Sequence, residues 1–297
     1  MIFINEREVR ENLSMEELSS DLEIAFRDCG KGDAIASSRD RIYTGSSFLN
    51  TMPAYWKRYG ISGLKTYYAG KNGVKFVVII FQDKNPEDFF VVEADRLGQM
   101  RTGALPGVVT KNTGIKGDFL LIGSGYQAET QMEAMVKILG LEKAWVYSRN
   151  PSHARNFAEK MSSTLNTDIE VVENLQNLER FSIITTMTSS KDPVIREKIK
   201  GDEFHLNLVG ANLMNRSEAS PEVMNSADLI IVEHLEQAMK ESAEIMSVND
   251  KNKIVELKAF MNGKESKGKR TIFKSMGIGL EDIVAARIVA KNMGYLR

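Results

Sequence analysis

The sequence has very few of the residues that build disulfide frameworks and metal sites. Cys29 is the single cysteine among 297 residues, and the chain has only three histidines. One cysteine cannot form an intrachain disulfide, and so few separated ligands leave little room for a structural zinc ion. We therefore predict neither a disulfide nor a metal site. A chain of this length can bury a sizeable core without them.

The sequence also lacks a charge excess and a long hydrophobic run. Its 39 lysine and arginine residues nearly balance its 40 aspartate and glutamate residues. A protein that coats nucleic acid needs a basic excess, so nucleic acid is not an expected partner. The most apolar run, Val74–Phe81, has the length of a strand, and the N-terminal residues lack the apolar stretch of a signal peptide. These absences predict a soluble, cytoplasmic protein with no membrane partner.

The order of the predicted elements divides the chain into two domains. A helical pattern over Asn5–Asp28 precedes strand-like segments such as Gly63–Tyr68, which favours an α+β domain with an antiparallel or mixed sheet. Further along, strands alternate with helices from Phe119–Ile122 to Leu229–Val232, which is typical of a parallel, doubly wound α/β sheet. The basic segment Lys264–Arg270 is interpreted as a solvated linker rather than a phosphate-binding patch.

The sharpest local motif is a glycine-rich turn between a predicted strand and a predicted helix. In LLIGSGYQA, Gly123, Gly125 and Ala128 fit the pattern G-x-G-x-x-G/A. The first glycine permits a tight turn, the second lets the backbone approach a pyrophosphate, and the helix N-terminus offers N–H groups to it. The motif predicts a Rossmann dinucleotide-binding domain. The turn residues expected to bind the cofactor are Gly123, Ser124, Gly125, Tyr126 and Gln127.

The end of the second strand of this domain favours NADP(H) over NAD(H). NAD sites usually place an acidic residue there, whereas this chain has Ser148, Arg149 and Asn150. A guanidinium group can bind a 2′-phosphate through two hydrogen bonds. In the alternative interpretation, Arg149 is an ordinary surface residue and Ser148 only caps a turn.

Seven separated motifs together resemble the ornithine cyclodeaminase/μ-crystallin family. They follow the family order, at family-like spacing, over nearly the whole chain. The matching segments are NTMPA (Asn50–Ala54), GLKTYY (Gly63–Tyr68), MRTGA (Met100–Ala104), IGSGYQA (Ile122–Ala128), ITTMTSS (Ile184–Ser190), HLNLVGAN (His205–Asn212) and TIFKSMGIGLEDIVAARIV (Thr271–Val289).

This resemblance implies an architecture and a chemistry. It implies a homodimer, with a substrate-binding and dimerisation domain over residues 1–112 and a Rossmann domain over residues 113–280. The C-terminal helix, residues 281–297, would pack back on the first domain. The shared chemistry is hydride transfer between a nicotinamide and the α-carbon of an amino or imino acid.

The resemblance also assigns residues to substrate and cofactor. Lys65 and Arg101 match the lysine and arginine that bind the substrate carboxylate, and Lys65 could also supply or take a proton. A further arginine of that group is Arg39 or Arg41, with Arg41 favoured. Asn50 and Met52 are expected in the pocket wall, where Met52 is an equally good core residue. Cofactor contacts are implied for Thr102, Thr185, Thr186, Met187, Val209, Gly210, Ser275, Met276 and Gly277, of which Met187 and Met276 could instead be core residues.

Two amides stand where family cyclodeaminases carry carboxylates. Asn212 takes the place of an aspartate after V-G-(G/A), and Asn50 that of a glutamate before Met-Pro. Because an amide cannot act as a general base, we expect an imine reductase or amino-acid dehydrogenase, with Asn212 at the reacting group. An ammonia-releasing cyclodeaminase, or an NADPH-binding protein with little turnover, is the alternative. His205, at the start of a strand, is expected to be structural.

Overall fold

The computed structural model describes residues 1–263 and 268–296, so residues 264–267 of the predicted linker lie outside the described residues. The chain divides into two compact units. The first comprises Met1–Arg101 with Gly277–Arg297, and the second comprises Thr102–Met276. The predicted bounds were residues 112 and 280. A long helix, α3 (Asp95–Thr113), spans the first of these and is itself divided between the two units. The MRTGA motif lies inside α3, a helix that the sequence analysis did not predict.

The first unit is built on a mixed sheet with the strand order β1-β7-β6-β5-β4-β2, in which β3 pairs with β4. Strands β1 and β7 run parallel, and the other pairs are antiparallel. The strands are β1 (Ile2–Ile4), β2 (Ala34–Ala36), β3 (Asp40–Thr44), β4 (Ser47–Trp56), β5 (Ile61–Gly70), β6 (Gly73–Gln82) and β7 (Asn85–Glu93). The helices are α1 (Glu6–Asn12), α2 (Met15–Lys31), a 3-10 turn (Lys57–Tyr59) and α10 (Gly279–Asn292).

Helix α10 is the centre of the first unit. It packs on β4, β5 and β6, and every residue from Gly279 to Ala290 is buried. Gly279 lies so close to the Met52 carbonyl of β4 that any side chain would collide with it. The helical pattern over Asn5–Asp28 is divided between α1 and α2, because Asn5 and Ser14 each cap an N-terminus.

The second unit is an eight-stranded parallel sheet with the order β10-β9-β8-β11-β12-β15-β13-β14. Its strands are β8 (Phe119–Ile122), β9 (Lys143–Tyr147), β10 (Asp168–Val171), β11 (Ile183–Thr186), β12 (Phe204–Leu208), β13 (Leu229–Val232), β14 (Ile254–Glu256) and β15 (Arg270–Lys274). Its helices are the end of α3, α4 (Tyr126–Leu139), α5 (Pro151–Leu165), α6 (Pro221–Ser226), α7 (Leu235–Glu241), α8 (Ala243–Met246) and α9 (Leu257–Phe260), with 3-10 turns at Leu178–Arg180 and Lys251–Lys253.

This sheet is buried on both faces, as a doubly wound sheet must be. Along β8, Leu120 and Ile122 belong to one hydrophobic core, and Phe119 and Leu121 to another. The sheet does not end with β13 as predicted, because β14 and β15 extend it and β15 lies between β12 and β13. The strand order reverses between β8 and β11, which is where open α/β sheets bind ligands. None of the described helices is both long enough and apolar enough to cross a membrane.

Candidate active site

Lys65 lies on β5 in the middle of the first unit's sheet, paired with Met52 on β4 and Val78 on β6. Its side chain is almost fully buried, and Nζ lies 2.9 Å from Oδ1 of Asp282 in the first turn of α10. Burial and the positive charge of Arg101 lower the pKa of Lys65 to about 8, although Asp282 opposes them. A lysine in this state can exchange its proton near neutral pH.

Arg101 completes a buried group of charges around Lys65. Its Nη1 lies 2.8 Å from Oε2 of Glu281, and its Nε lies 3.2 Å from Oδ1 of Asp282. The other Glu281 oxygen accepts the Ile278 N–H at 2.8 Å, which fixes the start of α10. Lys65, Arg101, Glu281 and Asp282, here named the Lys65 cluster, therefore hold two positive and two negative charges out of water.

Glu281 and Asp282 are functional candidates to which the sequence analysis assigned no role. They belong to the quoted motif TIFKSMGIGLEDIVAARIV, and both are completely buried. A signal was present, because charged residues are almost never fully buried unless they are paired. Two acids at the start of a helix that is mostly apolar therefore indicate buried cations nearby.

Among the buried polar atoms of this unit that make no hydrogen bond within residues 1–263 and 268–296 are Oδ2 of Asp282 and Nδ2 of Asn50. Asn50 is buried on the same face of β4 as Met52, and its Oδ1 accepts from Nε of Arg41 at 2.9 Å. A buried donor or acceptor without a partner is costly. One unmatched donor and one unmatched acceptor indicate that a polar ligand belongs here.

The two candidate arginines, Arg39 directly before β3 and Arg41 within it, make different contacts. Nη2 of Arg39 donates to the Gly277 carbonyl at 3.4 Å. Gly277 has a φ of +75° and lies against the Arg101 guanidinium, so a side chain there would be both strained and obstructed. Arg41, in contrast, binds Asn50 across the β3–β4 pair. Of the two, Arg39 therefore shares a neighbour with Arg101.

The glycine-rich turn of the second unit has the geometry that its sequence requires. Gly123 has a φ of +128°, and a side chain on it would collide with the Met187 carbonyl. Gly125 is the N-cap of α4, makes no side-chain cap, and has open space where a Cβ would stand. Oε1 of Gln127 is buried and has no hydrogen-bond partner in the described part of the chain. An uncapped, open helix N-terminus fits a pyrophosphate.

The other predicted cofactor residues of this unit follow neighbouring parallel strands, whose carboxyl ends share one edge. Ser148 follows β9, and its hydroxyl lies 2.9 Å from the Ser124 hydroxyl. Arg149 is exposed, and Asn150 caps α5. Thr185, Thr186 and Met187 lie at the end of β11, Val209 and Gly210 follow β12, and Ser275 and Met276 follow β15.

Three of the predicted site residues do not lie directly at the carboxyl ends of these strands. Thr102 is in α3, where its carbonyl accepts from Nε2 of Gln131 at 2.7 Å. Asn212 is exposed in the loop after β12. Gly277 belongs to the first unit.

A profile of the ornithine cyclodeaminase/mu-crystallin family matches residues 1–295. The chain belongs to this family. It is 25% identical to the alanine dehydrogenase of Archaeoglobus fulgidus, over 98% of this chain and 94% of that one. It is 28% identical to the ketimine reductase mu-crystallin of Mus musculus, over 82% of this chain and 79% of that one.

Among solved structures, a similar fold is that of the Delta(1)-pyrroline-2-carboxylate reductase of Thermococcus litoralis in complex with NADH and L-proline. The TM-score is 0.87 at 27% identity, and the match covers 98% of this chain and 97% of that one. The predicted family and the predicted fold class, a Rossmann domain with an α+β domain, are both confirmed.

Proposed function

We propose that this family member is an NAD(P)-dependent oxidoreductase that reduces an imino acid to an amino acid, or runs the reverse reaction. The observation that carries the proposal is a pair of unmatched buried atoms in the first unit. Oδ2 of Asp282 belongs to the carboxylate that contacts Lys65, and Nδ2 of Asn50 lies on the buried face of β4 that it shares with Met52, the strand partner of Lys65. An α-imino or α-amino acid offers a carboxylate to the donor and an N–H group to the acceptor. The names of the relatives, an alanine dehydrogenase and a ketimine reductase, agree with this class of substrate.

The residues of the first unit take distinct roles in this proposal. Arg101 and Arg39 bind the substrate carboxylate, and Arg39 is preferred to Arg41 because it shares the Gly277 contact. Lys65 gives a proton to the substrate nitrogen in the reductive direction and takes it back in the oxidative one, since its pKa is lowered to about 8. The dinucleotide, when bound, supplies or accepts the hydride.

The cofactor is held, in this proposal, at the carboxyl edge of the second unit's sheet. Gly123 permits the tight turn, Gly125 leaves room for the pyrophosphate, and Ser148 and Arg149 would contact the adenosine ribose. We propose NADP(H), because this strand end carries no carboxylate and Arg149 makes no ion pair with any described residue. For Arg149→Ala we expect the KM for NADPH to rise about tenfold while that for NADH changes less than about twofold. Equal effects on both would favour NAD(H).

A cyclodeaminase receives less support from these residues. That reaction needs groups that take protons from the substrate amines, and positions 50 and 212 carry amides. Asn50 is buried and hydrogen-bonded to Arg41, which suits a binding role. We keep ammonia release from ornithine or lysine as the assay that would reveal such an activity.

A homodimer is part of the proposal, and one exposed row of the first unit's sheet supports it. Ile42, Leu49 and Tyr68 stand directly opposite one another on β3, β4 and β5, and all three are exposed. Large apolar side chains aligned on an open sheet face favour burial against a second copy. Light scattering should give twice the chain mass, and Leu49→Lys combined with Tyr68→Lys should reduce it. The cytoplasmic location stays a prediction.

The experiment that tests the proposed function follows the oxidation of NADPH, and separately of NADH, by the purified protein. The panel contains five- and six-membered cyclic imino acids, and α-keto acids with ammonia or methylamine. Oxidation with any of them would establish the reaction and name its substrate class. Dinucleotide binding without oxidation across the panel would contradict the proposal and leave a binding protein or a cyclodeaminase.

A further inference from the structure

We infer that Glu218 is a positioning residue of the dinucleotide site, whose buried carboxylate fixes the two turns that follow β11 and β12. This inference rests on the proposed function for its cofactor. The contacts that support it all lie within the second unit. No sequence motif pointed to this residue, which lies in the loop between β12 and α6.

The Glu218 carboxylate is completely buried and accepts three hydrogen bonds from these turns. Oε1 accepts from the backbone N–H and from the hydroxyl of Thr188, both at 2.8 Å. Oε2 accepts from the backbone N–H of Gly210 at 2.6 Å. Hydrogen bonds to an ionised carboxylate are stronger than neutral ones, so one side chain links the ends of two adjacent strands.

Two further buried charges hold Glu218 in place. Its backbone N–H donates to Oε1 of Glu244 at 2.8 Å. The other oxygen of Glu244 lies 3.1 Å from Nζ of Lys274 at the end of β15, and that ammonium group also donates to the Ala211 carbonyl. The position of the Glu218 carboxylate therefore depends on Glu244 and Lys274, which are both buried.

The turn that Glu218 holds is also the turn that bounds the switch point of the sheet. Met187 and Thr188 stand between two glycines: a side chain on Gly123 would collide with the Met187 carbonyl, and one on Gly210 with the Thr188 backbone and the Glu218 carboxylate. With close packing on both sides, a shift of the Thr188 turn must displace the glycine-rich turn. Loss of the Glu218 carboxylate should therefore change the shape of the surface on which a dinucleotide would lie.

The test compares Glu218→Gln with the wild-type chain and with Asp28→Asn. Asp28 is a matched control because it is a buried carboxylate of the first unit, bound to Trp56 and Arg58. Two quantities are measured: hydrogen exchange of the Thr188 and Gly210 amides without cofactor, and the Kd for NADPH and NADH by fluorescence titration. Glutamine replaces one acceptor oxygen with a donor, so we expect exchange at one of these amides, and the Kd, to rise about tenfold. In Asp28→Asn both should stay within about twofold of wild type.

Three outcomes would overturn the inference. Unchanged protection of both amides in Glu218→Gln would show that the carboxylate does not hold the turns. Faster exchange with an unchanged Kd would show that the turns do not shape the dinucleotide site. A wild-type chain that binds neither dinucleotide would overturn the proposed function, and the inference with it. If Glu218→Gln is poorly folded, Glu244→Gln, one contact further back, replaces it with the same expected direction and a smaller Kd change.

Discussion

Two of the buried titratable groups of the molecule, Lys65 and His205, have surroundings that differ in one respect. Burial lowers the pKa of Lys65 to about 8 and that of His205 to about 4. Both ring nitrogens of His205 have partners, since Nδ1 lies 2.8 Å from Oγ1 of Thr271 and Nε2 lies 3.0 Å from Oδ1 of Asn207. The Lys65 cluster, in contrast, contains an Asp282 oxygen with no partner among the residues described.

This difference separates a structural network from a binding site. The His205 network ends on hydroxyls, because Nδ2 of Asn207 donates to Oγ1 of Thr110 at 3.1 Å and to Oγ1 of Thr185 at 3.2 Å. A satisfied buried network stabilises one conformation and gains nothing from a ligand. An incomplete one gains free energy when a ligand completes it. In our proposal, burial therefore contributes to stability in one unit and to chemistry in the other.

The largest expected effect is that of Lys65→Met, which keeps the length of the side chain and removes the proton and the charge. We expect kcat/KM for imine reduction to fall about 1000-fold, the range that general acid catalysis spans. The measurement is steady-state kinetics at saturating dinucleotide, with the dinucleotide Kd expected to stay the same.

Lys65→Arg is the matched control for that variant. It retains the charge that attracts the carboxylate, but a guanidinium does not release its proton. We therefore expect it to recover KM more than kcat. If Lys65→Met retained a tenth of the wild-type kcat/KM, the proton-transfer role of Lys65 would be wrong.

The next effect concerns pH. Because reduction uses protonated Lys65, the rate should fall as pH rises through about 8. Asp282 raises the pKa of Lys65, so Asp282→Asn should move this limb to lower pH by about one unit, which reduces the rate about twofold at pH 7 and about tenfold well above pH 8. Rate profiles from pH 5 to 10 check this. His205→Gln should leave the limb in place, and a limb shared by wild type and Asp282→Asn would assign it to another group.

The sequence predicted most of the second unit, and physical reasons explain why. Short apolar strands alternate there with amphipathic helices, and Gly123 and Gly125 stand at the one turn that needs them. The strands added to the end of this sheet were missed because β14 is only three residues long and β15 pairs out of chain order. Strand order depends on contacts between distant segments, which local patterns do not contain.

The first unit was harder to predict because its central elements disobey local rules. Strand β4 contains Pro53, and proline is rare in strand interiors. Helix α3, which begins in the first unit and continues into the second, contains Pro106 together with glycines at positions 98, 103 and 107. Family resemblance pointed to Lys65 and Arg101, but the sequence analysis gave no role to their partners Glu281 and Asp282, which their burial identified. The sequence left Arg39 and Arg41 open, and a contact with Gly277 was needed to favour Arg39.

The smallest expected effect on activity is that of His205→Gln. This variant tests the His205 network, whose hydrogen bonds are satisfied. The folded pKa of His205, about 4, lies below its usual value of 6.5, so the unfolded chain takes up the proton first as pH falls. The free energy of unfolding is therefore highest above pH 6.5 and decreases as pH falls toward 4, by about 2 kcal/mol between pH 7 and pH 5 from this group. Urea unfolding at these two pH values should show that decrease in wild type and lose about that much of it in His205→Gln. Because His205 itself contacts no ligand in our proposal, kcat/KM should change less than about threefold. A decrease in kcat/KM of more than about threefold in folded His205→Gln would place His205 in the catalytic machinery. It would also remove the distinction between His205 and Lys65.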